Sequence, residues 1–176
     1  MRTEPDQVLD AAGPHGEVLR VVFAWRGDRF GHAVLALRPG AEPRVLLESL
    51  EGAAGDAWPS SPALQSLRIE ALPQGRAALL VGMAGQSHWS ASVEAVPGRA
   101  ELRFDVACRH GIPCGWLGSR YHVRDGSGSG WQAVAAEADL LMPAEHEVAI
   151  VPRPGWTAPR ARWKYSVILP SPAGTI

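Results

Sequence analysis

Apolar residues recur along this chain in short runs bounded by turn residues, and the clearest alternation spans residues 87–109. Trp89, Ala91, Val93 and Ala95 alternate with His88, Ser90, Ser92 and Glu94. After Pro97-Gly98, Leu102, Phe104, Val106 and Cys108 alternate with Glu101, Arg103, Asp105 and Arg109. A period of two sends successive side chains to opposite faces, as in a half-buried strand. Pairing Val96 with Arg99 sets Val93 against Leu102, Ala91 against Phe104 and Trp89 against Val106, so the apolar faces coincide. The same register sets Glu94 opposite Glu101, an unfavourable pair that Arg103 relieves from the diagonal position.

The rest of the chain reads in the same way. Segments 17–26 and 29–38 flank Gly27-Asp28, a two-residue hairpin signal, and Pro39-Gly40 turns the chain toward 44–50. Leu67, Ile69 and Ala71 alternate with Arg68 and Glu70, and Gln74-Gly75 leads into the apolar run 77–81. Further strands are expected at 147–151 and 162–169. The alanine-rich segment 133–141 fits either a short helix or a strand. Segments 52–62 and 109–130 read as irregular. Together these features predict an all-β, predominantly antiparallel domain of about ten strands, with at most one or two short helices. The expected architecture is a β-sandwich or partly closed β-barrel over 17–170, with flexible segments at 1–16 and 171–176.

Composition narrows the function classes. The chain has 176 residues, 46% of them apolar, enough for one domain with a sizeable core. Its formal net charge is −1, with acids and bases interspersed, which argues against nucleic acid or an anionic membrane as partner. Sixteen of the seventeen basic side chains are arginine, Lys164 being the only lysine, a skew that genome composition explains more simply than ligand recognition. No apolar run approaches the ~20 residues that span a bilayer. Residues 1–16 are polar and carry Glu4, Asp6 and Asp10, unlike a secretory leader, so a soluble, cytoplasmic protein is expected.

Candidate chemistry is sparse. Cys108, His110, Cys114 and His122 are residue types that bind zinc, and a metal-assisted hydrolase would use them. Five residues separate the cysteines, however, unlike the short knuckles of zinc sites, and alternation turns Cys108 into the apolar face. Neither a metal nor a cofactor is expected. His88, Ser90 and Asp105 share a polar face and match the residue types of an acyl-transfer triad, but no nucleophile elbow accompanies them. Gly82, Gly85 and the Gly/Ser tract 126–130 lack a phosphate-loop context, and Arg26-Gly27-Asp28 is explained by turn chemistry. Of the seven tryptophans, Trp58, Trp116, Trp131 and Trp156 fall in predicted loops, where such rings either plug the end of a β core or wall a ligand site. The leading expectation is a noncatalytic module that binds a small ligand or a partner through loops at one end. Its expected site residues are His88, Arg109, Trp116, Tyr121 and His122. The rival readings are the two hydrolases above and a structural or interaction subunit whose loop tryptophans bury against a partner, a second copy of the chain being one candidate.

Overall fold

A computed structural model describes residues 5–111, 114–124, 130–155 and 159–170. Trp156, residues 126–129 of the Gly/Ser tract and the tail 171–176 lie outside the described residues.

Thirteen strands and no helix occur among the described residues. In chain order they are β1 (Gln7–Ala12), β2 (Val18–Trp25), β3 (Phe30–Leu37), β4 (Arg44–Ser49), β5 (Ser66–Leu72), β6 (Gly75–Ala84) and β7 (Ser87–Ala95). There follow β8 (Glu101–Arg109), β9 (Ser119–Val123), β10 (Gln132–Ala135), β11 (Ala138–Leu141), β12 (Glu147–Pro152) and β13 (Arg160–Ile168). They form two antiparallel sheets, one ordered β1-β2-β3-β4-β9-β12-β11 and the other β10-β13-β8-β7-β6-β5. Each sheet has two free edges, so the fold is a β-sandwich rather than a closed barrel.

Alternation dictates the core. Leu19, Val21 and Phe23 of β2 face Trp89, Ala91 and Val93 of β7, Leu102, Phe104 and Val106 of β8, and Trp163, Tyr165 and Val167 of β13, all at most 9% exposed. A register shift between Val34 and Leu35 leaves one extra residue in β4, which is why consecutive Leu46 and Leu47 are both buried.

Four readings of the sequence need correction. Residues 7–12 are not part of a flexible segment: Leu9 and Ala11 are buried, and Asp10 pairs with Arg20 of β2, so this stretch is an edge strand. The strand count is thirteen rather than about ten, and one of the added strands, β9, runs through the stretch 109–130 read as irregular. Segment 133–141 is neither one helix nor one strand, because Ala136-Glu137 breaks it into β10 and β11, which join different sheets. The β7–β8 hairpin has the predicted faces but a register displaced by two, with Val93 opposite Phe104 and Ala91 opposite Val106. Residues 97–100 make a four-residue loop, closed by the amide of Val96 donating to the Glu101 carbonyl at 3.0 Å. The shift replaces the repulsive Glu94–Glu101 pair by Glu94 opposite Arg103.

Candidate functional site

A groove of ≈ 930 Å³ lies on the outer face of the β10-β13-β8-β7-β6-β5 sheet, across β6, β7, β8 and β13. Two transverse rows of outward side chains build it. In the first, Met83 pairs with His88, His88 with Arg109, and Arg109 with Arg160. In the second, Val81 pairs with Ser90, Ser90 with Ala107, and Ala107 with Arg162. The small side chains of Ser90 and Ala107 leave a trough, which Met83 and Val81 border on β6 and the arginines border on β8 and β13.

The apolar wall is fixed by the segment before β5. Gly82 admits no side chain, since a Cβ there would come within 2.1 Å of the Ala63 carbonyl oxygen. Beside it the Gln65 side chain acts as an extra stretch of backbone, accepting from the Met83 amide at 2.7 Å and donating to the Met83 carbonyl at 2.9 Å. Val81 and Met83 consequently stand outward, 56% and 50% exposed.

The electrostatics are one-sided. Three arginines and a histidine line the groove, and no carboxylate among the described residues does. Arg162 is neutralised from outside it, donating through Nε and Nη2 to the two carboxylate oxygens of Asp105, with Nε at 2.7 Å. Arg109 and Arg160 have no ion-pair partner among the described residues, yet stand directly opposite each other across β8 and β13. Like charges in that position destabilise a sheet.

His88 and Arg109, both expected site residues, are thus brought together. Trp116, Tyr121 and His122 are not with them. After Arg109 the chain leaves its sheet and enters the other as β9, where Tyr121 points into the core at 1% exposure. His122, the neighbouring residue, stands between Glu48 and Glu147. The Trp116 indole donates to the Ser60 carbonyl at 3.1 Å, and the Arg120 guanidinium lies 4.6 Å from its ring. Trp58 and Trp131 pack against the core. Val81, Met83, Arg160 and Arg162 escape the sequence reading, although the unbroken apolar run 77–81 signals a strand apolar on both faces.

The residues named for catalysis are dispersed. Ser90 faces Ala107 and Asp105 faces Ser92, while Asp105 is engaged by Arg162, so His88, Ser90 and Asp105 form no relay. Cys108 points into the core, and burial pushes its thiol up to about 12. His110 is buried with its ring against Trp58, and its amide donates to the Pro159 carbonyl at 2.8 Å. No three His, Cys, Asp or Glu side chains among the described residues are grouped as metal ligands.

A second polar cluster lies between the sheets. His32 Nε2 and the Tyr121 hydroxyl are 2.9 Å apart, and Tyr121 is hydrogen-bonded in turn to the hydroxyl of Tyr165 in the opposite sheet. Phe104 stacks on Tyr165 with ring centroids 4.8 Å apart. Nearby, the Trp163 indole donates to Ser119 Oγ at 3.0 Å, a second polar link between the sheets. Burial drives the His32 imidazole down to about 4, so it is neutral at physiological pH. A cavity of ≈ 20 Å³, room for one water, is lined by His32, Ser61, Ser119, Tyr165 and Glu51 among apolar neighbours. Glu51 accepts from Ser49 Oγ through Oε1, whereas its Oε2 is buried without a hydrogen-bond partner among the described residues. Burial raises its carboxyl to about 7, against the opposing effects of the Ser49 hydrogen bond and of Arg29 and Arg26.

No helix among the described residues is long and apolar enough to cross a membrane. Scans against models of known protein families, against curated proteins and against solved structures find no match for this chain.

Proposed function

We propose that this β-sandwich is a noncatalytic module that binds a small anionic ligand in the groove across β6, β7, β8 and β13. The observation that carries the reading is Arg109 opposite Arg160, two guanidiniums without a carboxylate partner among the described residues, with His88 beside them in a concave site. An oxyanion between them converts a repulsive pair into two charge-assisted hydrogen-bond donors. Ordinary sheet surfaces avoid such an arrangement by interleaving signs, as this same face does where Asp105 meets Arg162. The hydrolase alternatives draw less support, because His88, Ser90 and Asp105 point to different partners and Cys108 and His122 lie in different sheets.

The test is thermal unfolding with increasing inorganic phosphate at constant ionic strength. A ligand that binds only the folded state at a hundred times its Kd adds about 2.7 kcal/mol of stability. Phosphate is expected to raise Tm for the native protein and to leave the Arg109→Ala/Arg160→Ala protein unmoved. An equal rise in both removes the ligand from this groove.

A further inference from the structure

The groove is polarised as well as basic, and its polarity runs across the strands. Its cationic side lies on β8 and β13, where Arg109 and Arg160 face one another; its apolar side lies on β6, where Val81 and Met83 stand half exposed. Between them β7 contributes His88 and Ser90, and β8 contributes Ala107 as the low point of the floor. Neighbouring strands lie roughly 4.8 Å apart, so the boundary between β8 and β13 is about 12 Å from β6. One molecule reaching both ends needs a charged head and an apolar body separated by about that distance.

From this we infer that the ligand is a single soluble amphiphile, a phosphomonoester head joined to an apolar body about 12 Å away and lying across β7. The inference rests on the anion-binding reading above and adds the class of molecule. A phosphomonoester fits the head site better than a carboxylate does, because two facing guanidiniums each offer a fork of donors and a dianion neutralises both. The volume of ≈ 930 Å³ lies within the range of small-molecule sites. A bilayer surface fits less well, since the facing arginines line a concave groove that a planar layer of headgroups does not enter. An added peptide strand also fits poorly, because the groove lies on the face of paired strands whose backbone groups already bond within the sheet.

Calorimetric titration of the full chain with inorganic phosphate, octyl phosphate, octanoate and octanol, each kept below any micellar concentration, and with vesicles of phosphatidic acid, tests it. Octyl phosphate is expected to bind at least tenfold more tightly than inorganic phosphate and than octanoate, with octanol not binding. Val81→Ser/Met83→Ser should lose the advantage of octyl phosphate while keeping the affinity for inorganic phosphate, which also shows that the variant is folded. If octyl phosphate binds no better than phosphate in the native protein, the amphiphile is overturned and the anion site stands. Octanoate binding as tightly as octyl phosphate overturns the phosphomonoester head, and binding only to vesicles of phosphatidic acid overturns the single soluble molecule. Absence of binding by both phosphates brings down the anion-binding reading itself, and this inference with it.

Discussion

Arg109 and Arg160 are the residues at which the fold gives up stability. Directly opposed like charges on neighbouring strands cost a few tenths to about 1 kcal/mol, and no carboxylate among the described residues offsets this pair. Arg160→Ala is therefore expected to raise the ligand-free stability by about 0.2 to 1 kcal/mol, measured by denaturant unfolding. The same substitution should weaken phosphate binding, the signature of a residue kept for binding rather than for folding. Arg162→Ala serves as the contrast, since it breaks a bidentate pair with Asp105 and should not stabilise. A less stable Arg160→Ala protein would mean that the guanidinium is held by interactions other than those described. His88 and Arg109 are legible in the sequence because alternation gives their face and the hairpin gives their end of the sheet. Arg160 is not, because its strand pairs with β8 from far along the chain, and no local pattern reports a long-range neighbour.

At the level of strands, the β7–β8 hairpin separates what alternation determines from what it leaves open. The faces follow from period two alone, and Trp89, Val93, Leu102, Phe104 and Val106 are all buried as expected. The register depends on loop length, and displacement by two keeps every apolar residue on the same face, so the hydrophobic pattern cannot distinguish a two-residue from a four-residue loop. Charge does distinguish them, because only the longer loop moves Glu94 from Glu101 to Arg103. Glu101, released from that contact, is held by Arg99 at 3.0 Å, Arg103 at 3.0 Å and Ser166 at 3.0 Å. Phe104→Ala removes a ring stacked on Tyr165 and near His32, and should cost about 3 to 5 kcal/mol in chemical denaturation. Ser92→Ala on the outer face should stay within about 0.5 kcal/mol of the native protein. Similar losses at the two positions would mean that the faces are misassigned.

For the molecule as a whole, alternation supplies two-faced strands and the composition a core large enough for two layers, which is why an all-β sandwich or barrel is legible and the choice between the two is not. Which strand joins which sheet is not, since β9 and β10 cross between layers without a local signal, and with them goes the sheet position of Tyr121. That crossing brings Tyr121 to Tyr165 and assembles the polar cluster around His32 and Glu51, whose charges make stability depend on pH in two opposing ways. The His32 pKa is depressed to about 4 from 6.5, so the unfolded chain binds its proton more readily; the stability this contributes is present above pH 6.5 and lost as pH falls toward 4. The Glu51 pKa is raised to about 7 from 4.5, so the folded state holds its proton more readily; that contribution is present below pH 4.5 and lost as pH rises through 7. Each amounts to something on the order of 3 kcal/mol, and between about pH 4.5 and 6.5 they largely cancel. The groups facing Glu51 are Ser49, Arg29, Arg26, Asp28 and Tyr121; the Arg29 guanidinium, raised by its hydrogen bonds to Asp28, keeps its charge throughout this window, and the Tyr121 phenol, driven upward by burial, stays protonated. Glu51→Gln keeps an acceptor for Ser49 and removes only the titration. Its stability should climb from pH 4 to 6.5 under the influence of His32 and then level off, passing above the native protein by up to about 3 kcal/mol at pH 8. Denaturant midpoints taken across that range give the comparison directly. A Glu51→Gln protein no more stable than the native one at pH 8 would show that Oε2 meets water or a donor in solution, and that the cavity beside it is not closed.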